Sequence, residues 1–109
     1  MKILITGTTG KVGKAFLPSF LEKPQFSSAE VVALCHNRRI EVDERVEVVT
    51  GSLADPQAVA SAMHGVTHVL HMAAVKESPD LVIDVAIKGM FLLLEEARQS
   101  PTLKQFILI

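Results

Sequence analysis

The chain of 109 residues contains no tyrosine and no tryptophan, and its only ring hydrocarbons are five phenylalanines. A single cysteine, Cys35, excludes an internal disulfide framework and a multi-cysteine metal site. No apolar stretch approaches the roughly 20 residues that a membrane span needs, and no signal-like apolar region with a cleavage site precedes the first strand pattern. Neither charge sign dominates. Eleven Lys and Arg against twelve Asp and Glu give a formal charge of −1, so no electrostatic footprint for nucleic acid or an anionic membrane is expected. A soluble, reducing, cytoplasmic setting follows as the expectation. Repeats, low-complexity tracts and linkers are also missing. What the chain does have is a hydrophobic fraction of 49%, ample for the core of one domain of this length.

The most informative segment is Thr6-Gly7-Thr8-Thr9-Gly10-Lys11-Val12-Gly13, directly after Lys2-Ile3-Leu4-Ile5. Three glycines stand where a strand gives way to a helix. In a dinucleotide loop the first permits the tight turn, the second lets backbone approach a pyrophosphate, and the third lets helix and sheet pack closely. The first N–H groups of the new helix lack intrahelical partners, and its dipole places roughly +0.5 charge there. A diphosphate satisfies both needs. A glycine-rich turn with no ligand is the plainer alternative. The mononucleotide loop G-x-x-x-x-G-K-[ST] is excluded, because Gly13-Lys14 is followed by Ala15 and Thr8 stands five before Gly13.

Further along, the pattern alternates. Lys2–Thr6 reads as a buried strand, and Lys11–Lys23 as a helix with Val12, Ala15, Phe16, Phe20 and Leu17 as its apolar stripe. Pro18 should bend that helix and Pro24 end it. Glu30–His36 and Glu47–Thr50 read as strands joined by about ten polar residues, too few for a full helix. Asp55-Pro56 starts a helix as N-cap and first-turn proline, and Gly65 closes it. Thr67–Ala73 is a fourth strand. Pro79 to Gln99 is a long helix with Leu81, Val85, Met90, Leu93, Leu94 and Ala97 on its apolar side. Lys104–Ile109 is a fifth strand. Almost wholly apolar strands alternating with helices imply an α/β fold, a parallel sheet covered on both faces. Right-handed crossovers give a Rossmann-like three-layer architecture of strand order 3-2-1-4-5, truncated at strand five, within one partial domain over residues 1–109.

These residues resemble the extended short-chain dehydrogenases/reductases, the NAD(P)-dependent epimerase/dehydratase family. Thr6–Gly13 is similar to its T-G-x-x-G-x-x-G loop. Gly51-Ser52-Leu53-Ala54-Asp55 is similar to its G-D-L-x-D segment, with Ser52 in place of the first acid. His71-Met72-Ala73-Ala74 is similar to its H-x-A-A. Ile87-Lys88-Gly89 with Leu92–Ala97 is similar to the N-V-x-G-T-x-x-L-L-E-A-A helix, with Ala86 in place of Asn and Met90 in place of Thr. The resemblance implies that Gly7, Gly10 and Val12 line the pyrophosphate, with Thr9, Lys11 and Gly13 in the same loop. It also implies that Ser52 and Leu53 border the adenine, and that Met72, Ala73 and Ala74 lie toward the nicotinamide ribose. Ser52 is shorter than the usual acid and uncharged, and Ala86 removes an amide from the catalytic end.

The acid expected about 20 residues past the loop, for the ribose 2′-OH, is missing. The strand end instead reads Leu34-Cys35-His36-Asn37-Arg38-Arg39. Nothing there repels a 2′-phosphate, and Arg38 and Arg39 could pair with one. NADP is therefore favoured over NAD, with His36, Arg38 and Arg39 as its candidate contacts; arginines on a solvated loop are the alternative. No metal site is expected. Gly65 separates His64 from His68, His68 and His71 face opposite sides of a strand, and Glu95 and Glu96 point apart on a helix.

By the same resemblance, the family's reaction is hydride transfer served by a Y-x-x-x-K segment and a Ser/Thr after strand five. With no Tyr, this chain is expected to hold no catalytic residue. It is expected to be the NAD(P)-binding half of a longer oxidoreductase, epimerase or dehydratase acting on a nucleotide-sugar or small carbonyl or alcohol substrate. The alternative is a non-catalytic dinucleotide-binding or interaction module. Phe106-Ile107-Leu108-Ile109 has no polar alternation, and self-association through strand five is expected.

Overall fold

The computed structural model describes residues 1–8, 11–35, 44–72 and 87–109. Five parallel strands form one sheet of order β3-β2-β1-β4-β5, the order expected from the sequence. The strands are β1 (Lys2–Thr6), β2 (Glu30–Cys35), β3 (Val46–Thr50), β4 (His68–His71) and β5 (Gln105–Leu108). The helices are α1 (Lys11–Glu22), α2 (Pro56–Met63) and α3 (Gly89–Gln99), with a single 3-10 turn at Pro24–Phe26. The expected helical span Pro79–Ala86 and the β2–β3 connection at 36–43 lie outside the described residues.

Each face of the sheet buries its own core. On one side Leu4, Val32, Leu34 and Val69 pack with Val59, Ala62 and Met63 of α2 and Leu93 of α3. On the other, Ile3, Ile5, Val31, Ala33 and Leu70 pack with Leu17 and Phe20 of α1. Alternate residues of one strand feed opposite layers, which is why β1 and β2 read as continuous apolar runs. Each fully buried aliphatic side chain is worth about 1.5–3 kcal/mol.

Local chemistry sets the ends of the elements. Asp55 caps α2, its Oδ1 accepting from the Gln57 N–H at 3.0 Å, and Pro56 takes the first helical position. Gly65, at φ 71°, turns the chain out of α2. Helix α1 runs through Pro18 and stops at Glu22.

The stripe of α1 departs from expectation. Val12 is 60% exposed and Ala15 is exposed, while Gly13, Leu17 and Phe20 are the buried positions. Gly13 sets this phase, because only a residue without a side chain fits against the loop that it faces. On α3 Leu93 is fully buried but Leu94 lies half exposed.

Candidate functional site

Those of the residues singled out from the sequence that lie within the described segments sit at the carboxyl ends of the strands. In an open α/β sheet that edge holds ligands where the strand order reverses. Here the reversal falls between β1 and β4, which pair in parallel with Thr6 opposite His71.

The glycine loop leaves β1 at Gly7, whose φ of 76° favours a residue with no Cβ. Thr8 is buried, and its Oγ1 lies 3.6 Å from the Cys35 Sγ at the end of β2. Gly13, in the first turn of α1, faces back onto this loop. A Cβ there would collide with the Gly7 carbonyl oxygen and lie 2.6 Å from the Thr8 Cα. The loop is therefore clamped against the helix that it precedes. No acidic residue stands in the first turn of α1, so no side-chain carboxylate from that turn competes for its positive end. A helix N-terminus without such a carboxylate suits a diphosphate.

Ser52 and Leu53 follow β3 on the same edge. The Gly51 N–H donates to the Cys35 carbonyl at 2.8 Å and ties this turn to β2. Ser52 Oγ accepts from the Ala54 N–H at 3.0 Å. Leu53 is buried beneath the start of α3, where a Cβ on Gly89 would come within 2.9 Å of the Leu53 Cβ. Met72 follows β4, half-buried against the α1-side core. The structure thus brings Gly7, Val12, Gly13, Ser52, Leu53 and Met72 to one edge of the sheet, along with the Lys11 backbone. Thr9, Gly10, His36, Arg38, Arg39, Ala73 and Ala74 lie outside the described residues.

Sequence reasoning missed one buried contact at this edge. Thr6 Oγ1 and His71 Nδ1 are 2.6 Å apart, and the Met72 N–H donates to the same oxygen at 3.1 Å. Thr6 is fully buried and His71 only 3% exposed. Burial holds the His71 pKa below its ordinary value. The signal was present: a threonine and a histidine close two strands that the predicted order makes neighbours.

A cleft of about 450 Å³ opens at the opposite end, lined by Met63, His64, Glu96, Gln99 and Thr102 among others. Thr102 there donates its hydroxyl to the Val66 carbonyl at 3.0 Å. Among the described residues, no group of three His, Cys, Asp or Glu could hold a metal ion, and no helix is long and apolar enough to cross a membrane.

Comparison with known proteins agrees with this geometry. The profile of the NAD dependent epimerase/dehydratase family matches residues 3–109. A UDP-glucose 4-epimerase of Rickettsia canadensis is 31% identical over 71% of this chain and 25% of its own length. A dTDP-glucose 4,6-dehydratase of Escherichia coli is 31% identical over 91% of this chain and 31% of its own. The chain thus spans about a quarter to a third of these relatives. Among solved structures, a short-chain dehydrogenase/reductase superfamily protein from Agrobacterium tumefaciens, with bound NAD, superposes with a TM-score of 0.77. It is 28% identical and covers 99% of this chain and 32% of that one.

Proposed function

This chain belongs to the NAD dependent epimerase/dehydratase family, and we propose that it is the dinucleotide-binding portion of an oxidoreductase acting by hydride transfer. The substrate in this reading is a nucleotide-sugar or a small carbonyl or alcohol compound. The observation that carries it is the clamped glycine loop at the β1/β4 reversal, with Gly7 at positive φ and Gly13 without room for a side chain. A bound nicotinamide ring supplies or takes up the hydride. The chain's own part is to hold the cofactor: loop and α1 N–H groups at the phosphates, Ser52 and Leu53 at the adenine, Met72 with Ala73 and Ala74 toward the nicotinamide. With no tyrosine in 109 residues, the isolated chain has no acid/base phenol and turns over no substrate.

The finer reading keeps NADP ahead of NAD. It rests on Arg38 and Arg39 and on the missing carboxylate at the end of β2, and the NAD held by the Agrobacterium neighbour weighs against it. Calorimetric titration of both cofactors decides. Binding to wild type, weakened at least tenfold for both cofactors by Gly10→Val, supports the proposal; no binding of either overturns it. Tighter binding of NADP that is lost in Arg38→Ala/Arg39→Ala supports the preference, and equal or tighter binding of NAD removes it. Self-association through β5 belongs to the same proposal.

A further inference from the structure

We infer that the cleft of about 450 Å³ between the carboxyl ends of α2 and α3, opposite the dinucleotide edge, is a binding site for an alkylguanidinium group. Two helices end on it, α2 at Met63 and α3 at Gln99, with His64 and Ser100 as their C-caps. A helix end of this kind carries roughly half a negative charge on carbonyls that lack an intrahelical partner. The Glu96 carboxylate, half-buried on the same wall, adds a full charge. Helix α2 has no basic residue in its last turn, and Arg98, the basic residue in the last turn of α3, is turned to Glu95 at 3.0 Å. A cation from another element already answers the α2 end: Lys2 Nζ, on β1, donates to the His64 carbonyl at 2.9 Å. The chain itself thus seats an ammonium at the rim of the cleft, and the α3 end with Glu96 is a second position of the same kind.

The hydroxyls of the cleft face it with oxygen lone pairs. The Val66 carbonyl can only accept, so Thr102 donates its hydroxyl proton there, at 3.0 Å. In the 3.2 Å contact between Thr102 Oγ1 and Ser100 Oγ the proton therefore comes from Ser100. Ser100 Oγ in turn accepts from the N–H groups of Thr102 at 3.2 Å and Leu103 at 3.1 Å. Both hydroxyl protons are held inside the loop. Met63, Ala60 and Pro101 supply the apolar part of the wall, which suits an alkyl stem. A guanidinium carries five donors in a planar fork and is more weakly hydrated than an ammonium, so it meets several oxygens at once. The volume lies at the small end of the range for ligand sites, in keeping with one such group and its stem.

The test titrates n-propylguanidinium, the arginine side chain without its backbone, into the whole chain and follows backbone amides by NMR. Saturable shifts are expected at Gly65, Ser100 and Thr102, with a Kd of about 1–10 mM for so small a ligand. Glu96→Gln should weaken binding about fivefold, as loss of one part-exposed charge pair does. Ala60→Leu, at an exposed helix position, narrows the cleft without changing its charge and should weaken binding by at least as much. Lys2→Met removes the cation at the rim and should tighten it. n-Butylammonium, with the same charge and fewer donors, should bind more weakly. Two sources supply such a group, a free alkylguanidine and an arginine of a partner protein. Acetyl-Gly-Arg-Gly-amide that binds at least as well as propylguanidinium assigns the site to a partner's arginine; a peptide that is excluded assigns it to a free compound. Shifts that do not saturate, or that map to the glycine loop, overturn the inference. So does a Kd unmoved by Glu96→Gln or by Ala60→Leu in a variant whose amide spectrum stays dispersed as in wild type, or butylammonium bound as tightly as the guanidinium.

Discussion

Gly13 is the residue on which loop, helix phase and site converge. Its missing side chain lets the first turn of α1 press on Gly7 and Thr8, and that contact turns Leu17 and Phe20 inward. A methyl group there cannot be absorbed by a rotamer change, because the atoms that it meets are backbone. Overpacking of this kind costs about 1–3 kcal/mol. Gly13→Ala is therefore expected to lower Tm and to weaken NAD and NADP binding together, since the displaced loop is the one meant to hold their shared phosphates. Thermal unfolding and titration of the same sample check it; a variant of unchanged Tm with intact binding would show that the clamp yields without cost. Gly65, also at positive φ, turns the chain at the far end of α2, and its substitution should leave the site untouched.

At the scale of elements, α1 shows what the sequence made legible and what it hid. Its start after the glycine loop and its end before Pro24 were readable, because glycine-turn and proline chemistry are local. Its buried face was not, because a hydrophobic count passes over glycine, and Gly13 sets the phase. The far end of α1 is held by a residue that no pattern in its own segment reveals. Helix α1 has no basic residue in its last turn. Arg45, just before β3, donates to the carbonyls of Leu21, Phe26 and Ala29. A guanidinium on these carbonyls satisfies acceptors that a helix end leaves open and meets the negative end of its dipole. Removing it strands part-buried carbonyls, so Arg45→Ala should cost about 2 kcal/mol, or roughly 8–16 °C in Tm for a domain of this size. Asp55→Ala, which removes only the cap of α2, should cost about 1 kcal/mol. Chemical denaturation of the two variants gives the comparison, and an Arg45 variant no less stable than the Asp55 variant would show that the clamp does little. The exposed Glu95–Arg98 pair, 3.0 Å apart, is a poor candidate for such an effect, since solvent screens it.

For the whole molecule, strand order was readable because each strand is apolar and each crossover has one hand. The Thr6–His71 contact was not read, since it joins residues 65 apart and appears only once the register is fixed. The same sheet leaves two edges, and they differ. On β3 the pattern includes Glu47 and Thr50, and charge at an edge discourages pairing with another chain. On β5, Ile107 is 42% exposed, Leu108 61% and the following Ile109 73%, and no charged residue interrupts Gln105–Leu108. Among the described residues this strand pairs with β4 alone. Covering what these three side chains still expose would recover on the order of 1 kcal/mol each, and pairing would engage the open backbone edge as well. A second copy presents an identical edge, which is the simplest complement available. The chain is accordingly expected to sediment as a dimer or larger species at micromolar concentration. Ile107→Lys should shift it to monomer by placing a charge in the new interface, while leaving the far-ultraviolet dichroism of the fold in place. Phe91 and Leu94 of α3 are also exposed, so Leu94→Lys serves as the comparison. If that change alone dissolves the assembly, the contact runs through the helix and not through β5. A folded wild-type monomer, unmoved by Ile107→Lys, would mean that the edge is tolerated in water and that the self-association argument fails.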